Sequence, residues 1–106
     1  MTPTKYEIYF TVGFKRRLKK ISKKDLILKN LVKETIKSIS EDPFQETLRT
    51  HQVNISKYGK VYSSSVNKDI RIIWNFQESD MTIHLLIIGG HSGSNKVYKD
   101  YLRISF

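Results

Sequence analysis

The stretch KVYSSSVNKDIRIIWNF, residues 60–76, decides the fold. KVYSSSV reads as one strand, NKD as a turn, and IRIIWNF as the returning strand. On the returning strand Ile70, Ile72, Trp74 and Phe76 share one face, with Arg71, Ile73 and Asn75 on the other. Arg71 is the anomaly, a guanidinium set beside much apolar surface. The residues opposite it across the hairpin belong to the Tyr62/Ser64/Val66 or the Val61/Ser63/Ser65 set. Small hydroxyl groups near a guanidinium predict an exposed, ligand-facing patch, and a guanidinium can clamp a phosphate through two parallel bonds. A surface salt bridge to Asp69 or Glu78 is the plainer alternative.

Working outward, apolar character on both faces of TIHLLII (residues 82–88) predicts a central strand, with His84 as a structural residue within it. GGHSGSN then reads as a flexible loop that leaves the His91 imidazole accessible. A loop histidine is suited to giving or taking a proton near neutral pH. On the other side, residues 45–58 show weak periodicity and read mostly as loop, carrying His51 with Arg49, Lys57 and Lys60 as candidate walls of an anion site. Tyr58, Tyr62, Trp74 and Tyr98 are candidates for stacking bases. Of these Trp74 lies on the core face, and Tyr98 follows the glycine loop.

The N-terminal part reads as a strand and a helical hairpin. YEIYFTV (residues 6–12) is a strand that Gly13 ends. Phe14, Leu18 and Ile21 then recur at helical spacing, and Leu28, Val32, Ile36 and Ile39 form the stripe of a second helix. SKKD (residues 22–25) has the form of a capping box, which puts the helix boundary near Lys20 or Ile21 and makes Ser22 the second cap. SEDPF (residues 40–44) is the stop. Lys15, Lys19 and Lys23, and likewise Arg16, Lys20 and Lys24, form i,i+4 ladders of like charge, each pair costing about 0.2–0.5 kcal/mol unless screened by solvent or a polyanion.

Charge agrees with that asymmetry. The 106 residues carry a formal net charge of +9. Residues 1–40 hold eleven Lys and Arg against three acids, and residues 41–106 hold eight against seven. Such a field favours nucleic acid, an anionic membrane or an acidic protein. There is no cysteine, which excludes disulfides and thiol chemistry. The three histidines follow no local metal-ligand spacing, so neither a metal nor another cofactor is expected. GGHSGSNK lacks the ending of a phosphate-binding loop. No signal-peptide order and no membrane-length apolar run is present, so a cytoplasmic protein of one domain, residues 1–106, is expected.

The residue set suits RNA cleavage without metal: one group removes the 2′-hydroxyl proton, another protonates the leaving oxygen, and an arginine neutralises charge on the phosphate. The text LRTHQV (48–53), KYGKVYSSSVNKDIRIIW (57–74), LLIIGGH (85–91) and VY (97–98) resembles the RelE-type toxins of bacterial toxin–antitoxin modules, and most of all their YafQ-like mRNA interferase branch. The resemblance spans essentially the whole chain, resting on motifs in residues 47–91 and on pattern alone in residues 1–40. It implies an α+β fold, an N-terminal strand and helical hairpin on a largely antiparallel four-stranded sheet. It implies a metal-independent endoribonuclease that cleaves mRNA, in the A site of the 70S ribosome. It also implies neutralisation by a cognate acidic antitoxin, a free toxin that is monomeric, and no membrane partner. By the same resemblance Arg71 contacts the scissile phosphate, His91 and His51 are the proton-transfer candidates, and Tyr98 is the aromatic after the loop. Six residues separate His91 from Tyr98, a longer interval than the resemblance predicts. Asp69 and Glu46 are further acids that keep the identity of the base open. Lys57, Lys60, Lys15, Lys19 and Lys23 are the expected RNA contacts. The competing readings are a ParE-like inhibitor of DNA gyrase and a basic RNA-binding module without catalysis.

Overall fold

The computed structural model describes residues 6–77 and 81–90. Strand β1 (Glu7–Phe10) leads into helices α1 (Val12–Ser22) and α2 (Leu26–Glu41). A one-turn 3-10 helix (Glu46–Leu48) follows, then β2 (His51–Ile55), β3 (Gly59–Ser65), β4 (Ile70–Gln77) and β5 (Thr82–Gly90). The sheet runs β1-β5-β4-β3-β2, with β1 parallel to β5 and every other pair antiparallel. No described helix is long and apolar enough to cross a membrane.

The predicted four-stranded sheet is therefore five-stranded. The strand missed in the sequence is β2, within the segment read mostly as loop. HQVNI buries only Val53 and Ile55, so its two-residue period repeats once. A signal that short is lost beside an edge strand's polar outer face.

The helix starts also differ from expectation. Thr11, not Gly13, ends β1. Its hydroxyl caps α1 by accepting from the Phe14 N–H at 3.1 Å, and its own N–H donates to the Leu85 carbonyl at 3.1 Å. The same hydroxyl lies 3.0 Å from the Leu85 oxygen, so the first turn of α1 is tied to the centre of β5. Gly13 sits inside the helix. The predicted capping box does not form either. Asp25 is itself the cap of α2, accepting from the Leu28 N–H at 2.9 Å, while the Ser22 hydroxyl donates back to the Leu18 carbonyl at 2.6 Å and lets α1 run through it. Aspartate is one methylene shorter than the glutamate or glutamine that closes such a box.

Two apolar layers result. Phe14, Val32 and Ile39 of the helices pack on Ile72, Trp74, Ile83, Leu85 and Ile88 of the sheet, all fully buried. The opposite sheet face gathers Val53, Ile55, Val61, Ile73 and Leu86. A register shift between Ile73 and Trp74 pairs Ile73 with Ile87 but Trp74 with Leu85, which leaves Leu86 as the extra residue of β5. The bulge turns Leu86 and Ile87 to the same face.

A Cβ at Gly13 would meet nothing within 4 Å, and its φ lies outside the left-handed region. Gly13→Ala is expected to raise unfolding free energy by about 0.5–1 kcal/mol. Urea denaturation of the two proteins measures it; a loss of stability would contradict the open helical setting.

Candidate active site

The β3–β4 turn sets the register on which the site depends. Asn67 Oδ1 accepts from the Asp69 N–H at 2.9 Å and the Ile70 N–H at 2.7 Å, and the Ser65 hydroxyl donates to the Asn67 carbonyl at 2.8 Å. Ser65 then pairs with Arg71, Ser63 with Ile73 and His51 with Ser63. Strand alternation puts His51, Ser63 and Arg71 on the sheet face away from the helices.

Arg71 reaches across β3 toward β2. Its Nε donates to Ser63 Oγ at 2.6 Å, and its Nη2 donates to the Ser63 carbonyl at 3.1 Å and the Arg49 carbonyl at 3.0 Å. Nη2 also lies 3.3 Å from His51 Nδ1. Nη1 has no hydrogen-bond partner among the described residues. The residue is only 8% exposed, which corrects the expected exposed patch: the arginine lies in the sheet surface, held along one edge. Nor does the alternative salt bridge to Asp69 form. The Asp69 carboxylate lies against Gly90, 3.2 Å from where a Cβ would stand. Among the described residues every acceptor that Arg71 engages is neutral. Glu78 lies outside the described residues.

The Arg49 carbonyl is available because Arg49 adopts the left-handed conformation, φ 49° and ψ 42°, at the end of the 3-10 helix. For a non-glycine residue this costs roughly 1–2 kcal/mol. A chain of hydrogen bonds on the other face holds the segment in place. Trp74 Nε1 donates to Ser64 Oγ at 2.8 Å, Ser64 and Thr50 hydroxyls meet at 2.6 Å, and the Thr50 hydroxyl donates to the Pro43 carbonyl at 2.6 Å. The same segment brings Phe44 against Tyr62 and Trp74, with ring centroids 5.3 and 5.9 Å away.

His51 is exposed at the start of β2. Its Nδ1 lies 3.3 Å from both the Arg49 carbonyl and Arg71 Nη2. The guanidinium can only donate, so the bond to Arg71 needs a lone pair on Nδ1 and puts the ring proton on Nε2. The bond to Arg49 needs the opposite tautomer and leaves a basic Nε2. The two contacts thus select between an acid and a base at the outward nitrogen.

The remaining predicted residues are dispersed. Lys57 and Lys60 lie at the closed end of the β2–β3 hairpin. Lys60 pairs with Asn54, about 10 Å along β2 from His51, and alternation places it on the helix side. Lys15 and Lys19 on α1 and Lys23 just past its end are exposed, across the sheet from Arg71. His84 pairs with Asn75 and stacks on Tyr9 at 5.3 Å. Trp74 is fully buried, and Tyr62 stacks on it at 4.9 Å. His91 and Tyr98 lie outside the described residues; Gly90, which precedes His91, pairs with Ile70 beside Arg71. Among the described residues no group of three His, Asp or Glu is placed to hold a metal ion. Sequence reasoning placed Ser63 in one of two sets facing Arg71 across the hairpin, and the register selects that set and makes Ser63 the partner of Nε. It missed the Arg49 carbonyl, for which no glycine or asparagine gave notice.

No protein-family model matches the chain, and no curated protein matches it. Solved structures do. A YoeB/ParE toxin from Agrobacterium tumefaciens superposes with a TM-score of 0.68 at 10% identity, over 81% of this chain and 99% of that one. The RelE–RelB complex from the archaeon Pyrococcus horikoshii gives 0.66 at 14% identity, over 85% and 99%. The DinJ–YafQ toxin–antitoxin complex from E. coli gives 0.64 at 16% identity, over 82% and 93%. The chain has the RelE/ParE toxin fold, and these likenesses do not separate the YafQ-like branch from the YoeB, RelE and ParE branches.

Ser63→Ala removes the acceptor of Arg71 Nε in a fully buried position. It is expected to cost about 1–3 kcal/mol of stability. Chemical denaturation checks this, and an unchanged midpoint would show that the guanidinium is not held as described.

Proposed function

We propose that this chain is a metal-independent endoribonuclease toxin that cleaves mRNA in the ribosomal A site and is neutralised by a cognate acidic antitoxin. The observation that carries the reading is the Arg71 guanidinium, 8% exposed, held only by neutral acceptors, with Nη1 unengaged among the described residues. A cation withdrawn from water without a counterion is costly, and an incoming phosphate supplies the missing charge. His51 stands beside it with one ring nitrogen facing out.

In the proposed reaction a base takes the ribose 2′-hydroxyl proton as the 2′-oxygen attacks the adjacent phosphorus. The bond to the 5′-oxygen breaks, that oxygen takes a proton from the acid, and a 2′,3′-cyclic phosphate remains. Arg71 stabilises the added charge on the phosphoryl oxygens. His51 and His91 divide the two proton transfers, and the tautomer of His51 decides its share. Tyr98 contributes an aromatic face to the substrate. The fold likeness to a toxin held in a toxin–antitoxin complex supports an antitoxin partner. The basic ladders of α1, remote from Arg71, are assigned to ribosomal RNA, with Lys57 and Lys60 as lesser RNA contacts.

Purified protein in a chelator-containing translation mixture is expected to cut a defined mRNA, mapped by primer extension, in the presence of ribosomes. Arg71→Ala should lower cleavage by about 10²–10³-fold. Full activity in that variant would reject the assignment, and growth arrest without cleavage would favour a gyrase-type target. Changing Lys15, Lys19 and Lys23 together to Glu should weaken ribosome binding most at low salt and flatten its salt dependence. Unchanged binding at low salt would move the ribosomal surface elsewhere.

A further inference from the structure

The sheet face that carries Arg71 ends, four positions farther along β4, in an indentation lined by Tyr58, Asn75, Phe76, His84 and Leu86. Asn75 lies about 13 Å from Arg71 along the strand. The indentation measures about 190 Å³, room for more than a single water. Its polar groups are oriented but unused. Asn75 Oδ1 accepts from the Phe76 N–H at 2.9 Å, which fixes the amide and turns Nδ2 away from that backbone. Nδ2, the ring nitrogens of His84 and the Tyr58 hydroxyl have no hydrogen-bond partner among the described residues. Stacking on Tyr9 holds the His84 ring in place, and the Lys57 ammonium lies 5.4 Å from the centre of the Tyr58 ring.

We propose that this indentation is a nucleobase subsite for an RNA strand whose scissile phosphate lies at Arg71. The inference rests on the RNA-cleaving reading given above. An aromatic face, an oriented amide donor, an imidazole and a neighbouring ammonium match what an unstacked nucleotide offers: a π-face, acceptors on the base edge and a phosphate. Tyr58 supplies the stacking face, Asn75 and His84 read the base edge, and Lys57 meets the phosphate of that nucleotide. The separation from Arg71 makes it a site for a nucleotide near the cut and not for the base at the cleaved bond. It would thus set sequence preference without taking part in the chemistry.

The test uses the full chain and fluorescein-labelled 2′-O-methyl oligonucleotides, which cannot be cleaved, with each base placed in turn at each position. Anisotropy titrations of the wild type are expected to show preference among the four bases at one position. Asn75→Asp keeps the acceptor for the Phe76 N–H and removes the donor, so it should erase or invert that preference. Tyr58→Leu should weaken binding of all four by about 5- to 150-fold. Circular dichroism melts confirm that both variants fold, with Asn75→Ser in reserve for Asn75→Asp. Preferences and affinities unchanged in both variants, or no binding of any oligonucleotide, would overturn the subsite. A wild type that shows the Asn75-dependent preference yet cuts no RNA bearing 2′-hydroxyls would keep the subsite and remove the nuclease. Cleavage with an unaltered base profile in both variants would do the reverse.

Discussion

The hydrogen bonds from the Arg71 side chain to Ser63 and to the Arg49 carbonyl are the constraint around which this face of the protein is arranged. They join β4 to β3 and to Arg49, two residues before β2. A guanidinium is costly to withdraw from water, and neutral acceptors offset only part of that cost. Among the described residues no negative charge meets the guanidinium. Rigid donors in a partly desolvated setting are worth more to a developing phosphorane than the same groups in water, because little reorganisation remains to be done.

Both faces of the sheet contribute to that rigidity. On the helix side the relay from Trp74 through Ser64 and Thr50 to Pro43 anchors residues 43–50 under the sheet edge. On the far side the same segment delivers the left-handed Arg49 carbonyl and the His51 ring to the guanidinium. Conformational strain at Arg49 is tolerated because packing around Leu48 and the aromatic group of Phe44, Tyr62, Trp74 and Phe76 determines the path of the backbone. Core packing and site geometry are thus one problem solved by one short segment.

How much of this was legible in the sequence follows from the range of the forces involved. The β3–β4 hairpin could be read because period-two alternation and an Asn-Lys-Asp turn are local signals. The two helices could be read from their stripes, while their exact starts could not, since Thr11 and Asp25 compete as caps with Gly13 and Ser22 as punctuation. β2 escaped because two buried residues do not make a pattern. Arg71 was found by residue type, but its burial was not: that depends on a backbone carbonyl from residue 49 and a serine eight positions upstream. Lys57 and Lys60 were grouped with His51 by closeness in sequence, and a hairpin separates what sequence puts together. The RelE-type resemblance carried the order of elements correctly, with one strand too few.

The central claim is that the Arg71 guanidinium is a preformed phosphate site. The most direct measurement follows the Arg71 Nε–H resonance by nitrogen-15 NMR while a non-cleavable 2′-deoxy dinucleotide is titrated into the protein. The account predicts that this resonance shifts saturably with the ligand, together with the His51 ring nitrogens, and that the lysines of α1 respond weakly. An Arg71 resonance that stays fixed while the dinucleotide binds elsewhere would contradict it.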